Sequence, residues 1–257
     1  MELPGLQESA TGRSMNLTEH LSELRARIIR SVVYAALGTI AGWYCYSLIF
    51  RFISTPILPY LTQHGSMFLL TGVAEGFMIK MQVSVIVGII LALPFITGEI
   101  WGFVAPGLTG TERRAIKLVA PLSILLFVLG ISAAYVVLPQ GIKWLVNQNP
   151  PGAAFMPSVS GTLLFILKME LAFGLVFQMP VILMFLAKIG LVNSGMLKRL
   201  WRQAVVAIAV IAAVATPSSD AFTMLLLCVP MIMLYVASIG LTALVQKNVI
   251  ASGRYKQ

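Results

Sequence analysis

The length of its apolar runs limits this chain more than anything else. Several stretches of about 20 residues carry scarcely a charge, which is what an α-helix needs to cross a hydrocarbon layer roughly 30 Å thick. Inside lipid the backbone has no water to pair with, so each crossing must be a helix that satisfies its own N–H and C=O groups. Six such segments can be drawn, at about 28–50, 77–104, 115–138, 162–189, 202–215 and 221–245. They divide the chain into a tail over 1–27, a six-span membrane domain over 28–245 and a second tail over 246–257. The expected fold class is an all-α membrane protein. Pro94, Pro121 and Pro180 fall within spans, and Pro139 is read as the stop of the third. The fifth segment offers only about 14 residues, or about 21 Å of helix. A crossing that short thins the bilayer around it or shelters against a partner.

Charge orients the spans. The chain is 58% hydrophobic and 11% charged, yet carries a net +9. In a soluble protein that surplus would point to nucleic acid; here anionic lipid and cytoplasmic retention of basic loops explain it without one. One side of six spans collects Arg13, Arg25, Arg27 and Arg30, then Arg113, Arg114 and Lys117, then Lys188, Lys198, Arg199 and Arg202, and finally Lys247, Arg254 and Lys256. Only Arg51, Lys80, Lys143 and Lys168 of the 18 basic residues lie elsewhere. Both termini are therefore expected in the cytoplasm. Cys45 and Cys228 each sit inside an apolar run, which argues against a disulfide framework. Residues 1–14 are polar, so no cleavable secretion signal is expected, and Met15 is a candidate start. The outer loops, about 51–76 and 139–161, are rich in proline and glycine and read as ordered caps.

Acidic residues number nine, so each one matters. Glu23 lies in a tail segment whose Leu17, Leu21, Leu24 and Ile28 follow helical spacing, four residues before Arg27. An i,i+4 surface pair is its simplest explanation. Glu112 follows a Pro-Gly break, where a carboxylate suits the start of a helix. Glu99 lies near the end of the second span and Gln178 within the fourth; intramembrane acids are functional suspects by default. Glu75 and Lys80 flank the start of the second span, as an interfacial helix face or as part of the cap. Asp220 has the position of a helix cap. His20 and His64 are isolated, no HExxH or cysteine cluster suggests a metal, and no phosphate-binding glycine loop is present.

Taken in order, HLSELRARI, Pro56 and Pro59, Glu75-x-Phe77-x-x-Lys80, WGFVAPGLTGTERR, Phe173-Gly174-x-x-Phe177-x-x-Pro180 and Thr216-Pro217 with Asp220 resemble the TatC family over about residues 15–245. TatC is the multispanning receptor of twin-arginine protein translocation. The resemblance implies a six-helix, cup-like protein of a prokaryotic cytoplasmic (inner) membrane, without enzymatic activity or cofactor. It would bind twin-arginine signal peptides of folded precursors, exported at the expense of the proton motive force. Carboxylates of the tail and first cytoplasmic loop recognise the arginine pair in the family. That role maps onto Glu23 and Glu112, with Arg25, Phe103, Pro106 and Arg113 in the matched motifs. A guanidinium binds a carboxylate through parallel charge-assisted hydrogen bonds that a lysine ammonium does not reproduce. The resemblance further implies single-span TatA/TatB-type partners, contacted around Thr216, Pro217 and Asp220, and self-association in the complex.

Many family members have glutamine where this chain has Glu99 and glutamate where it has Gln178. An exchange of that kind suggests a hydrogen-bonded Glu99–Gln178 pair across the concave face. Two other function classes compete. A proton-coupled small-solute secondary transporter would use Glu99, Glu170 and Asp220 as a relay, but these carboxylates lie near span ends and no internal repeat is evident. An intramembrane hydrolase needs a Ser–His or paired-aspartate constellation, against which stand a single aspartate and histidines that read as loop residues.

Overall fold

Apolar runs become helices of matching length in a computed structural model, which describes residues 17–59, 67–70, 72–104, 110–150, 156–216 and 220–251. In chain order the helices are α1 (Leu17–Tyr44), α2 (Tyr46–Ser54), α3 (Glu75–Val104), α4 (Gly110–Val146), α5 (Val159–Val176), α6 (Met179–Lys188), α7 (Ser194–Arg199), α8 (Trp201–Ala215) and α9 (Ala221–Ala251). Among the described residues the only β pairing is one isolated bridge, Leu69 with Ser158. Among the described residues four spans are long and apolar enough to cross a membrane, five if α1 and α2 count as one bent span, and α8 is a shorter apolar helix.

The first predicted span is interrupted. Its helix ends at Tyr44 and restarts at Tyr46 with a 77° bend, although no proline or glycine occupies the break. The faces of α2 supply the reason. Tyr46, Ile49, Phe50 and Ile53 recur at the spacing of one helical face and pack on the core, while Arg51 stays exposed. Turning α2 across α1 buries that stripe and leaves the arginine at the surface. The third span departs in the other direction: Pro139 does not stop α4, which runs on to Val146. A proline costs a helix one hydrogen bond, and packing replaces what is lost. Leu138 is buried in the core and Ile142 packs against it, while Trp144 stacks on Phe222 of α9 at 3.9 Å between ring centroids. In the fourth span Pro180 has the effect its chemistry dictates, separating α5 from α6 at Phe177–Gln178.

α1 and α3 form a long pair, and small residues let them approach. Gly38 and Gly42 face Ser84 and Gly88; a Cβ on Gly38 would lie 2.5 Å from the Gly88 carbonyl oxygen, and one on Gly42 2.9 Å from that of Ser84. Spacing small residues four apart allows backbones to touch where lipid provides no hydrophobic drive for association. A second close crossing joins α4 to α5, where a Cβ on Gly130 would lie 2.7 Å from the Phe173 carbonyl oxygen. The span Val159–Lys188 is the centre of the molecule: half of its apolar window is buried, against 22–28% in the other long helices. Buried hydroxyls such as Ser84 and Ser238 return to their own helix, donating to the Lys80 and Leu234 carbonyls.

The described parts of the two predicted caps are joined. Leu69 N–H donates to Pro157 O at 3.0 Å and Val159 N–H to Leu69 O at 3.1 Å. Ser160 Oγ donates to Glu75 Oε1 at 3.0 Å, tying the start of α3 to that of α5. Lys80 lies over the Trp43 ring, 4.3 Å from its centroid. Glu75 thus belongs to the cap, while Lys80 is held in the α1–α3 seam.

Candidate functional site

Where α1 begins and α3 ends, the sequence puts Glu23, Arg27 and Arg30 on one helix and Glu99 on the other, and the structure brings them together. Arg27 Nε and Nη2 both donate to Glu23 Oε1, at 3.0 and 2.6 Å. The remaining Nη1 reaches Glu99 Oε2 at 3.0 Å and the Glu99 carbonyl at 3.3 Å. Arg30 Nη2 adds a third ion pair to Glu99 Oε2, also at 3.0 Å. Two carboxylates and two guanidiniums cancel, so the cluster is neutral. The Glu23, Arg27 and Glu99 side chains are only 22%, 19% and 14% exposed, whereas Arg30 is 51% exposed and screened by solvent. At the buried end such pairs resist disruption, because removing one partner strands the other charge.

Two features shape the cluster. Gly102 leaves room for Arg27, since a Cβ there would collide with the guanidinium. His20 stacks on Phe103 at 4.3 Å between centroids, closing the cluster on the tail side. His20 is therefore a helical residue in a ring contact, not a loop histidine. One atom is left over: Glu23 Oε2 is buried and finds no hydrogen-bond donor among the described residues. A carboxylate with one oxygen doubly satisfied and the other bare is primed to accept a further N–H.

The i,i+4 reading of Glu23 with Arg27 thus matches the structure, but it misses that Arg27 also serves Glu99. The expected Glu99–Gln178 bond does not form. Glu99 is engaged by the arginines, and Gln178 Nε2 donates instead to Ser123 O at 2.9 Å. A free guanidinium outbids a neutral amide for a carboxylate, so the charged partners win. Ser123 is fully buried and its hydroxyl accepts from Trp101 Nε1 at 3.1 Å. Trp101, Ser123 and Gln178 therefore link α3 and α4 to the break between α5 and α6, two residues beyond Glu99.

Arg25 is exposed and makes no ion pair among the described residues. Glu112 and Arg113 fall in the first turn of α4; their side chains, and all of Pro106 and Pro217, lie outside the described residues, as does His64. Thr216 is buried, its backbone N–H capping α8 through Ala212 O. Asp220 caps α9, accepting from Thr223 N at 2.8 Å and Thr223 Oγ1 at 2.6 Å.

The three acids of the transporter reading have separate surroundings. Glu99 is held by arginines and Asp220 caps a helix. Glu170 is 5% exposed on α5, and its Oε1 has no partner among the described residues. It adjoins a cavity of about 10 Å³ whose other walls are Ile53, Pro56, Ile57, Tyr135, Leu138, Pro139, Ile142 and Ile166. Among the described residues no group of three His, Cys, Asp or Glu is arranged to hold a metal.

Residues 19–230 match the family described as Sec-independent protein translocase protein (TatC). The chain is 35% identical to the Sec-independent protein translocase protein TatC of Koribacter versatilis (strain Ellin345), over 93% of this chain and 88% of that one. It is also 35% identical to the TatC of Aquifex aeolicus (strain VF5), over 91% and 97% respectively. Among solved structures, one described as the twin-arginine translocase receptor TatC is similar with a TM-score of 0.79 and 33% identity, covering 89% of this chain and all of that one.

Proposed function

This chain belongs to the TatC family of Sec-independent protein translocase proteins, and on that premise we propose that it is the receptor and core subunit of a twin-arginine translocase. In this reading it is a multi-pass protein of a prokaryotic inner membrane. Its bent α1–α2 span, α3, α4, α5–α6, α8 and α9 make six crossings in a cup, with both tails cytoplasmic. It receives the twin-arginine signal peptides of folded precursors, without catalytic chemistry of its own, for export driven by the proton motive force. The observation that carries the proposal is the Glu23–Arg27–Glu99 cluster, in which a half-buried carboxylate already grips a guanidinium and has a bare oxygen to spare.

The roles are assigned by the matched family motifs. Glu23 takes one arginine of the pair; Glu112, in the first turn of α4, takes the other, with Arg113 beside it. Arg25 stands exposed on the tail side, Phe103 adds an apolar ring stacked on His20, and the family motif extends the site to Pro106. Glu99 and Gln178 support the concave face through different partners. Single-span TatA/TatB-type subunits assemble beside α8 and α9 near Thr216, Pro217 and Asp220. Lipid mismatch favours that location, because α8 has 15 residues, or about 22 Å. Copies of the chain associate within the complex.

The test is selective binding. The detergent-solubilised chain is expected to bind an arginine-pair leader peptide and to reject its lysine-pair version, and Glu112→Gln is expected to abolish export while leaving membrane insertion intact. Equal binding of both peptides would undo the reading.

A further inference from the structure

We infer that Arg27 is a resident competitor for the recognition carboxylate, and that Glu99 is the seat onto which it withdraws when a twin-arginine peptide docks. The inference rests on the reading of Glu23 as part of the signal-peptide site and adds to it how that site is guarded.

Four observations carry it. First, Arg27 offers Glu23 the same functional group that the peptide would bring, through two N–H groups on a single oxygen, Oε1. Second, the same guanidinium already touches Glu99 with its third nitrogen. Withdrawal therefore needs no search: Arg27 gives up two bonds to Glu23 while keeping its hold on Glu99. Third, Gly102 keeps open the space in which Nη1 lies, since a Cβ there would collide with it. Fourth, the second oxygen of Glu23 is buried and has no donor among the described residues. Once the Glu23 carboxyl turns outward, an incoming N–H meets an oxygen with no donor to displace while Arg27 still holds Oε1, so the exchange proceeds through a shared carboxylate and never strands a buried charge.

The arrangement sets a threshold. An incoming guanidinium replaces Arg27 like for like, with parallel hydrogen bonds across both carboxylate oxygens. A lysine ammonium is a point charge, and it must displace a fork that is tethered one helical turn away. The internal arginine thus lowers affinity for every ligand but lowers it most for the wrong one, which is how discrimination is gained without a new attractive contact. Glu99 divides its charge between Arg27 and Arg30, and it keeps the displaced arginine paired.

The experiment uses the full chain in detergent micelles or nanodiscs, with two fluorescent peptides that differ only in an arginine pair or a lysine pair before the same apolar segment. Arg27→Gln is expected to raise lysine-pair affinity about tenfold, the worth of one charge-assisted hydrogen bond, and to leave arginine-pair affinity unchanged or higher. Glu99→Gln removes the charged seat and is expected to weaken arginine-pair binding by about three- to tenfold. Arg27→Lys keeps the charge and loses the fork; it is expected to lower discrimination partway, and it decides the matter if Arg27→Gln does not fold. Unchanged discrimination in the Arg27 variants, or stronger arginine-pair binding in Glu99→Gln, overturns the exchange. Glu23→Gln separates the two levels: wild-type peptide binding there removes the site itself, whereas lost binding there with discrimination intact in Arg27→Gln removes only the exchange.

Discussion

Gly38 of α1 lies against the backbone of Gly88 of α3 so closely that a methyl group at position 38 would sit 2.5 Å from the Gly88 carbonyl oxygen. Backbone, unlike a flexible side chain, cannot step aside. Gly38→Ala is expected to destabilise the protein by about 1–3 kcal/mol through overpacking, read as a lower thermal unfolding midpoint in detergent. Gly240, which has open space around it, is the control. If Gly38→Ala and Gly240→Ala behave alike, α1 and α3 do not cross this closely.

Gly102→Ala acts on the charge cluster without removing a charge. Its Cβ occupies the place of the Arg27 guanidinium, the far end of a flexible side chain, so the fold tolerates the change. The contact between Arg27 and Glu99 does not. Arginine-pair peptide affinity is expected to fall about three- to tenfold, with unfolding within a few degrees of the parent. Peptide titration beside a melting curve checks both halves.

Glu170 sits almost fully buried against aliphatic residues, with one carboxyl oxygen unpaired among the described residues. A carboxyl group so placed costs stability, and an apolar side chain of similar size relieves that cost. Glu170→Leu is expected to raise stability by about 1–3 kcal/mol. A lower melting midpoint would mean that the carboxyl finds a partner in the assembled membrane.

Trp101 donates its indole N–H to the buried Ser123 hydroxyl. Trp101→Phe leaves that oxygen without its donor and is expected to cost about 1–3 kcal/mol. Ser123→Ala removes the acceptor as well. In a double-mutant cycle the pair is expected to cost less than the sum of the singles; strict additivity would mean that the bond contributes nothing.

Much of this architecture was legible because lipid allows so few backbone solutions: long apolar runs had to be helices, and all of the expected segments contain one. The site was legible where it obeyed a local rule, as Glu23 and Arg27 do at i,i+4. What escaped was set by contacts between distant segments. Nothing near Cys45 marks a break, because the bend comes from where the apolar face of α2 finds its partners. Pro139 looks like a terminator, yet Leu138 and Trp144 hold the helix together beyond it. Glu99 was matched to the wrong residue because the exchange with position 178 suggested a contact, while Arg27, 72 positions away, has the stronger chemical claim. The glycines Gly38, Gly42, Gly88 and Gly102 were visible as letters, but their meaning depends on what stands opposite them.

α3 is fastened at its two extremities by different chemistry. Near its start Glu75 accepts from Ser160, beside the Leu69 backbone pairing; near its end Glu99 holds two guanidiniums. The first attachment includes a hydroxyl donor and a main-chain pairing, while the second is made of guanidiniums whose place an arriving arginine can contest. A ligand at the charged extremity therefore meets a rod clamped at the other, and the motion open to it is a pivot, with a lever arm of about 36 Å between Glu75 and Glu99. Displacement is then greatest where the peptide lands and falls away toward the Glu75 end.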